Sequence, residues 1–177
     1  WKVNHYKGIF DMCTGSGKTY TALYGMVQLA HRCNEKLAVF IVCPYIHLVS
    51  QWEEDVEKWC TVPIIIAHSK SPNTRWKMEL LKAYKRFRKS GKPFVCITTN
   101  DTFSGEEIQQ YVKRFDELQQ VLLIVDEAHN FGSPYMINVM PWNINYRMAL
   151  SATISRHMDK TGTQKIYDYF GKKCNIL

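Results

Sequence analysis

Residues 12–19 read Met-Cys-Thr-Gly-Ser-Gly-Lys-Thr, a segment whose residue types suit the binding of phosphate groups. Glycines permit a tight loop with inward-facing backbone N–H groups, and a helix that begins at the end of the loop adds partial positive charge. We predict that Lys18 reaches the β- and γ-phosphates of a nucleotide and that Thr19 offers its hydroxyl to Mg²⁺. The residues expected to surround the phosphates are Thr14, Gly15, Ser16, Gly17, Lys18 and Thr19.

Met12 departs from the strict phosphate-loop pattern, which has glycine at this position. The alternative interpretation of the segment is an ordinary structural turn. However, an apolar run precedes the loop and a helical pattern of apolar residues follows it. This strand, loop and helix context favours nucleotide binding.

A second candidate lies at the end of the apolar run Val121–Val125, which is followed by Asp126, Glu127 and, after one residue, His129. The carboxyl ends of parallel strands share one edge of a sheet, so these carboxylates can meet the phosphate loop over one ligand. We expect Asp126 to hold Mg²⁺ through a water molecule and Glu127 to orient or deprotonate the attacking water. Without the phosphate loop, the same acidic pair would indicate only a solvated helix start. The predicted catalytic residues are Lys18, Asp126, Glu127 and His129.

Short apolar runs alternate with amphipathic stretches along the chain, which predicts an α/β fold in three layers, with a mostly parallel sheet and helices on both faces. Several runs are apolar throughout, as strands covered on both faces require. The predicted strands are Gly8–Met12, Leu37–Cys43, Pro63–Ala67, Phe94–Thr98, Val121–Asp126 and Tyr146–Leu150. The predicted helices are Gly17–Cys33, Ile46–Trp59, Thr74–Lys89, Gly105–Gln119 and Thr161–Phe170.

The composition is that of one globular domain: 177 residues, 46% hydrophobic and 22% charged. It argues against a disordered or coiled-coil chain. No apolar run approaches the roughly 18 residues of a membrane-spanning helix. The six cysteines form no Cys-x-x-Cys pair, which predicts small buried side chains in a reducing compartment. We therefore expect a soluble, cytoplasmic protein without a membrane partner.

The net charge of +7 is concentrated in one segment. Between Lys70 and Lys92 there are nine basic residues and one acidic residue. Within this segment an apolar stripe follows helical spacing, so the helix predicted there would bury one side and expose its cations on the other. Such a face either binds a polyanion or is merely solvated.

Three motifs in order give the sequence a family resemblance: Gly-Ser-Gly-Lys-Thr at 15–19, Asp-Glu-Ala-His at 126–129 and Ser-Ala-Thr at 151–153. They resemble motifs I, II and III of the first RecA-like domain of superfamily 2 DEAD/DEAH-type helicases and translocases. Residues 41–52 and 98–103 resemble motifs Ia and Ib of the branch that contains restriction-enzyme motor subunits and repair-type helicases.

The resemblance implies a P-loop, RecA-like fold and an ATP- and Mg²⁺-dependent motor that acts on nucleic acid. It implies that Ser151 and Thr153 couple the nucleotide state to strand contacts. The residues that it implies approach the nucleic-acid backbone are Pro44, Tyr45, Gln51, Thr99 and Asp101. The Gln51-Trp52 pair favours DNA over RNA as the partner.

The resemblance also predicts how the domain is organised. We expect residues 1–177 to form a single N-terminal RecA-like domain of a longer protein, with the second RecA-like domain outside this sequence. That second domain would supply an arginine finger, so residues 1–177 alone should be nearly inactive in ATP hydrolysis. A nuclease or methylase partner domain is compatible with the same branch.

Three other functions are alternatives to a DNA motor. An RNA helicase shares the Asp-Glu-Ala-His and Ser-Ala-Thr motifs, and the Gln51-Trp52 pair argues against it. A non-motor P-loop switch or kinase would not need Ser151 and Thr153 at this position after the acidic motif. A nucleic-acid-binding module without ATPase activity would need neither Lys18 nor Glu127.

Overall fold

A computed structural model describes residues 1–71, 73–116 and 119–174 of the chain. Its centre is a sheet of six strands in which every paired neighbour is parallel, in the order β1-β6-β5-β2-β4-β3. The strands are β1 (Lys7–Asp11), β2 (Ala38–Cys43), β3 (Ile64–Ala67), β4 (Phe94–Thr99), β5 (Val121–Val125) and β6 (Tyr146–Ser151).

Within the described residues, seven α-helices connect or follow these strands. They are α1 (Lys18–Arg32), α2 (Ile46–Trp59), α3 (Trp76–Ser90), α4 (Asn100–Ser104), α5 (Glu106–Val112), α6 (Pro134–Ile137) and α7 (Lys160–Phe170). Two 3₁₀ helices span Lys2–Asn4 and Ala128–Gly132. Because the strands are parallel, each crossover helix between neighbouring strands runs back from the carboxyl edge of the sheet to its amino edge.

The sheet is covered on both faces, and the buried residues form two hydrophobic clusters. Strand β2 illustrates the division, because Phe40 belongs to one cluster and the next residue, Ile41, to the other. Helices α1 and α2 contribute to the cluster around Ile41, whereas α3, α5 and α7 contribute to the cluster around Phe40. The three-layer α/β architecture predicted from the sequence is confirmed.

All six predicted strands are present, but the helix predicted over Gly105–Gln119 is wrong in length. It ends at Val112, and residues 117 and 118 lie outside the described part. The side-chain amide of Asn143 donates to the carbonyls of Val112 and Phe115, both at 2.9 Å, and thereby satisfies this helix end. Phe115 then turns into the core, where its ring meets those of Phe40 and Tyr84.

The six cysteines are all unbonded thiols, and their burial only partly follows the prediction. Cys43 and Cys96 are buried, whereas Cys13 is exposed in the loop that follows β1. The loop position explains the difference, because residues 13–16 extend beyond the sheet edge. Within the described residues, no helix is both long and apolar enough to cross a membrane.

Candidate functional site

The loop after β1 has an open, left-handed backbone at both of its glycines. Gly15 has φ of 78° and Gly17 has φ of 89°, and no other atom lies within 4 Å of where a Cβ would stand at either position. The Ser16 hydroxyl donates to the Cys13 carbonyl at 2.6 Å and closes the turn. Helix α1 begins directly after Gly17, so its free N–H groups face the loop. This geometry suits a phosphate group.

Lys18 and Glu127 lie together although they are far apart in the chain. The Lys18 Nζ is 3.5 Å from the Glu127 Oε1, and the two side chains are 11% and 30% exposed. Lys18 starts α1, and Glu127 follows β5 by two residues. The structure therefore brings the predicted phosphate-binding lysine to the predicted catalytic carboxylate, at the carboxyl edge of the sheet.

Asp126 is the buried carboxylate of this edge, with 8% of its surface exposed. Its Oδ2 accepts from the Trp52 indole N–H at 3.0 Å, and its Oδ1 accepts from the Glu127 backbone N–H at 2.9 Å. Burial raises the pKa of the Asp126 carboxyl, and the two hydrogen bonds oppose that shift. Because both oxygens already have partners, the carboxylate is held in one orientation.

His129 joins the acidic residues to the end of β6. Its Nδ1 is 3.4 Å from the Glu127 Oε2 and 3.3 Å from the Ser151 hydroxyl. Ser151 is fully buried, and its hydroxyl oxygen accepts from the Thr153 backbone N–H at 3.2 Å. The predicted coupling residues thus connect to the predicted catalytic residues through His129. Thr153 itself reaches this network through its backbone, and its side chain is exposed.

Glu127 has a left-handed backbone, with φ of 47°, which is uncommon outside glycine. Its carbonyl accepts from the backbone N–H and the side-chain amide of Asn130, at 3.0 and 3.1 Å. These bonds hold a tight turn that directs the chain from β5 into the 3₁₀ helix. Strain of this kind is characteristic of functional sites in proteins.

The donor set fits a nucleotide-bound Mg²⁺. Thr19 is half-buried beside Lys18 at the start of α1, and Asp126 is the buried carboxylate opposite. Among the described residues, no group of three or more His, Cys, Asp or Glu side chains could hold a metal ion alone. A magnesium site here would therefore depend on phosphate oxygens and water for most of its ligands, which is the usual arrangement for this ion.

The residues predicted to contact nucleic acid follow two adjacent strands. Cys43 of β2 is in register with Thr99 of β4, so Pro44 and Tyr45 leave the sheet beside residues 100 and 101. Tyr45 is 59% exposed, and its ring stacks on His47 with centroids 5.6 Å apart. These side chains share the carboxyl edge of the sheet with the phosphate loop.

The other members of this set differ in their exposure to solvent. Thr99 is buried, and its hydroxyl accepts from the Thr102 backbone N–H as the N-cap of α4. Asp101 is exposed in the first turn of α4. Gln51 is exposed within α2, next to the buried Trp52.

Two side chains of the site escaped the sequence analysis. Trp52 was noted as part of a motif, but its bond to Asp126 depends on how α2 packs on the sheet. Arg156 was not noted, and its Nη1 donates to the His129 carbonyl at 2.5 Å. The nearby Asp159, three residues later, was the available signal, because this spacing allows an ion pair that fixes the arginine.

A family model described as "Type III restriction enzyme, res subunit" matches residues 1–156. The chain belongs to this family. The match covers the phosphate loop, the Asp-Glu-Ala-His segment and the Ser-Ala-Thr segment, and it agrees with the resemblance to superfamily 2 helicases.

The chain spans only a small part of the length of the proteins to which it is similar. One is the bifunctional helicase and thymine dioxygenase JBP2 of Leishmania infantum, which is 26% identical over 155 residues; these are 82% of this chain and 13% of that protein. Among solved structures, a nuclease-deletion mutant of the Type ISP restriction-modification enzyme LlaGI with a DNA substrate mimic matches with a TM-score of 0.68 and 19% identity. That match covers 94% of this chain and 17% of the enzyme.

A helicase of a different organism has the same fold. The Hef helicase domain of Pyrococcus furiosus matches with a TM-score of 0.64 and 16% identity, over 96% of this chain and 34% of that chain. The family member described here therefore has the RecA-like fold of helicase motor domains.

Proposed function

We propose that the chain is the ATP-binding motor domain of an ATP-dependent DNA helicase or translocase of restriction, defence or repair type. The observation that carries this proposal is the approach of Lys18 to Glu127 at the carboxyl edge of the sheet, 3.5 Å apart. A phosphate-binding lysine and a water-orienting carboxylate at this separation suit hydrolysis of a terminal phosphate.

The roles of the site residues follow from their positions. The backbone of residues 14–17 and the start of α1 bind the phosphates, and Lys18 turns from Glu127 towards the β- and γ-phosphates when a nucleotide enters. Glu127, released from Lys18, orients the attacking water and accepts its proton. Thr19 and, through water, Asp126 would hold Mg²⁺, and the ion would supply positive charge beside the phosphates.

Coupling to the nucleic acid follows the chain of contacts through His129 and Ser151. A change at Glu127 is transmitted to His129, which lies 3.4 Å away, and from its ring to Ser151. Ser151 ends β6 and holds the backbone of Thr153, which lies in the segment after the sheet. We propose that this segment and the Tyr45, Thr99 and Asp101 surface respond to the nucleotide state.

The proposed partners are DNA and a second RecA-like domain of the same longer protein. Support for DNA comes from LlaGI, solved with a DNA substrate mimic, and from a Sulfolobus solfataricus SWI2/SNF2 ATPase core, solved with double-stranded DNA. We propose that residues 1–177 are the first of the two RecA-like domains and that the protein works in the cytoplasm. A nuclease or methylase domain is a further proposed partner. Alone, residues 1–177 should hydrolyse ATP very slowly.

The test is ATP turnover by the full-length protein without nucleic acid, with double-stranded DNA and with RNA, beside the variant Glu127→Gln. We expect strong stimulation by DNA that the variant loses, since the amide keeps the shape of the carboxylate but cannot accept the proton. Stimulation by RNA alone would replace the DNA motor with an RNA helicase. ATP turnover that neither DNA nor RNA stimulates would indicate a non-motor nucleotide switch instead.

A further inference from the structure

The segment after β5 and the segment after β6 approach each other at two glycines. A Cβ on Gly132 would stand 2.5 Å from the Arg156 Cδ and 2.8 Å from the Gly162 carbonyl oxygen. A Cβ on Gly162 would stand 2.4 Å from the Gly132 carbonyl oxygen. Neither glycine has a positive φ. Glycine is needed at both positions for space alone, so the two backbones are in direct contact.

Arg156 bridges these two segments with its guanidinium group. Its Nη1 donates to the His129 carbonyl at 2.5 Å, and its Nε donates to the Asp159 Oδ2 at 2.6 Å. The side chain is only 21% exposed. A planar guanidinium can make both bonds at once with fixed geometry, which a lysine ammonium cannot do.

Groups at the start of α7 hold Arg156 in place. The other oxygen of Asp159 accepts from the Gly162 backbone N–H at 2.7 Å and caps α7. This bond and Arg156 lower the pKa of the Asp159 carboxyl. The Arg156 backbone N–H donates to the Thr163 hydroxyl at 2.9 Å, and that hydroxyl donates to the Asp159 carbonyl. Arg156 is therefore anchored to the first turn of α7 before it reaches His129.

The residue that Arg156 holds is also the residue that contacts Glu127. The carbonyl of His129 accepts from Arg156, while its ring lies within 3.4 Å of both Glu127 and Ser151. The turn between Glu127 and His129 is short and has the left-handed backbone described above. A displacement of the His129 backbone must therefore move the ring and the turn that carries Glu127.

We propose that Arg156 is a positioning residue for ATP hydrolysis, which fixes Glu127 and His129 through the His129 carbonyl and anchors them to α7. This inference rests on the proposed ATPase function. Arg156 contacts neither Lys18 nor the phosphate loop, so it acts on the hydrolytic residues and leaves nucleotide binding intact.

The test uses the full-length protein with Arg156→Ala, Arg156→Lys and the control Arg114→Ala. Arg114 is an exposed arginine two residues after the end of α5. We expect Arg156→Ala to lower kcat on the order of 100-fold while the KM for ATP and the affinity for Mg-ATP stay within about threefold. Arg156→Lys should not restore kcat. Guanidinium at low concentration should restore part of it, whereas urea at the same concentration should not.

A readout that does not depend on turnover is hydrogen exchange followed by mass spectrometry. In Arg156→Ala, exchange in the peptide over residues 127–133 should rise about tenfold, while exchange over α1 should stay unchanged. Unchanged kcat and unchanged exchange in Arg156→Ala would overturn the inference. It would also be overturned if exchange rose throughout the protein and Mg-ATP binding was lost, because the variant would then be generally unfolded. If the wild type hydrolyses ATP and Lys18→Ala does not, the proposed function stands. Unchanged kcat and exchange in Arg156→Ala would then refute only the positioning role. An inactive wild type would end the proposed function and this inference together.

Discussion

The indole N–H of Trp52 donates to the Oδ2 of Asp126 at 3.0 Å, in the interior of the domain. This bond joins α2, which starts at the proposed nucleic-acid surface, to the acidic end of β5. It favours the ionised form of a carboxyl whose pKa is raised by burial.

Removing this bond should change the pH dependence of the proposed ATPase activity. In Trp52→Phe, the pKa of Asp126 should rise further, because burial remains and the N–H is lost. In its proposed role Asp126 holds Mg²⁺ as a carboxylate, so a higher pKa should move the acidic limb of the kcat profile to a higher pH. A hydrogen bond to a charged group contributes about 1.5–3 kcal/mol, so stability should fall as well.

The measurement is kcat against pH for the full-length protein, with Trp59→Phe as the matched control. Trp59 ends the same helix and is 36% exposed, away from Asp126. If kcat falls at the same acidic pH in the wild type and in Trp52→Phe, ionisation of Asp126 does not govern the rate.

Lys18→Ala should weaken Mg-ATP binding by about 10- to 100-fold, because a charge-assisted contact to the phosphates is lost. The control is Lys58→Ala, which removes a lysine from an exposed ion pair with Asp55. Binding of a fluorescent ATP analogue, with and without Mg²⁺, measures both. Equal affinity in Lys18→Ala and wild type would refute the phosphate-loop assignment.

Tyr45→Ala should weaken binding of single-stranded DNA, because an aromatic side chain at the strand surface contributes about 1–3 kcal/mol when it stacks on a base. Tyr24 offers an equivalent control, since it is also 59% exposed but lies in the middle of α1. Fluorescence anisotropy with a labelled oligonucleotide measures both variants. The interpretation fails if Tyr24→Ala and Tyr45→Ala weaken binding equally.

The basic segment divides into two ends that should behave differently. Helix α3 is about 22 Å long and runs from the carboxyl edge of the sheet to its amino edge, where β4 begins. The first group, Lys70, Arg75 and Lys77, lies before or at the start of α3, and Lys77 lines a surface pocket together with Asp101. The second group, at the opposite end, is Lys85, Arg86, Arg88 and Lys89.

Reversing the charge of the first group should weaken DNA binding and flatten its salt dependence, because fewer counterions are then released. Reversing the charge of the second group should weaken DNA binding less than reversing the charge of the first group. Titrations of each variant with duplex DNA over a range of salt concentrations compare the two. A larger loss from the second group would mean that DNA crosses the far edge of the domain.

The sequence predicted the strands well because their apolar runs are buried on both faces, as in β2 and β5. It also placed Lys18, Asp126, Glu127 and Ser151 at one edge, since that follows from the carboxyl ends of parallel strands. The sequence did not predict features that depend on a side chain far away along the chain. Asn143 ends α5 at Val112, and Trp52 reaches Asp126 only because α2 packs on the sheet. Neither contact leaves a local pattern.

The strand order has a consequence for how the protein assembles during synthesis. Strand β4 can pair early with β2 and β3, but β1 pairs with β6, which is made last among the six strands described here. Strand β5 must also arrive before β6 can join the rest. The loop that follows β1 therefore leaves the ribosome first among the site segments and is fixed last. A nascent chain that stops before Ser151 would contain every residue of that loop without its supporting strand.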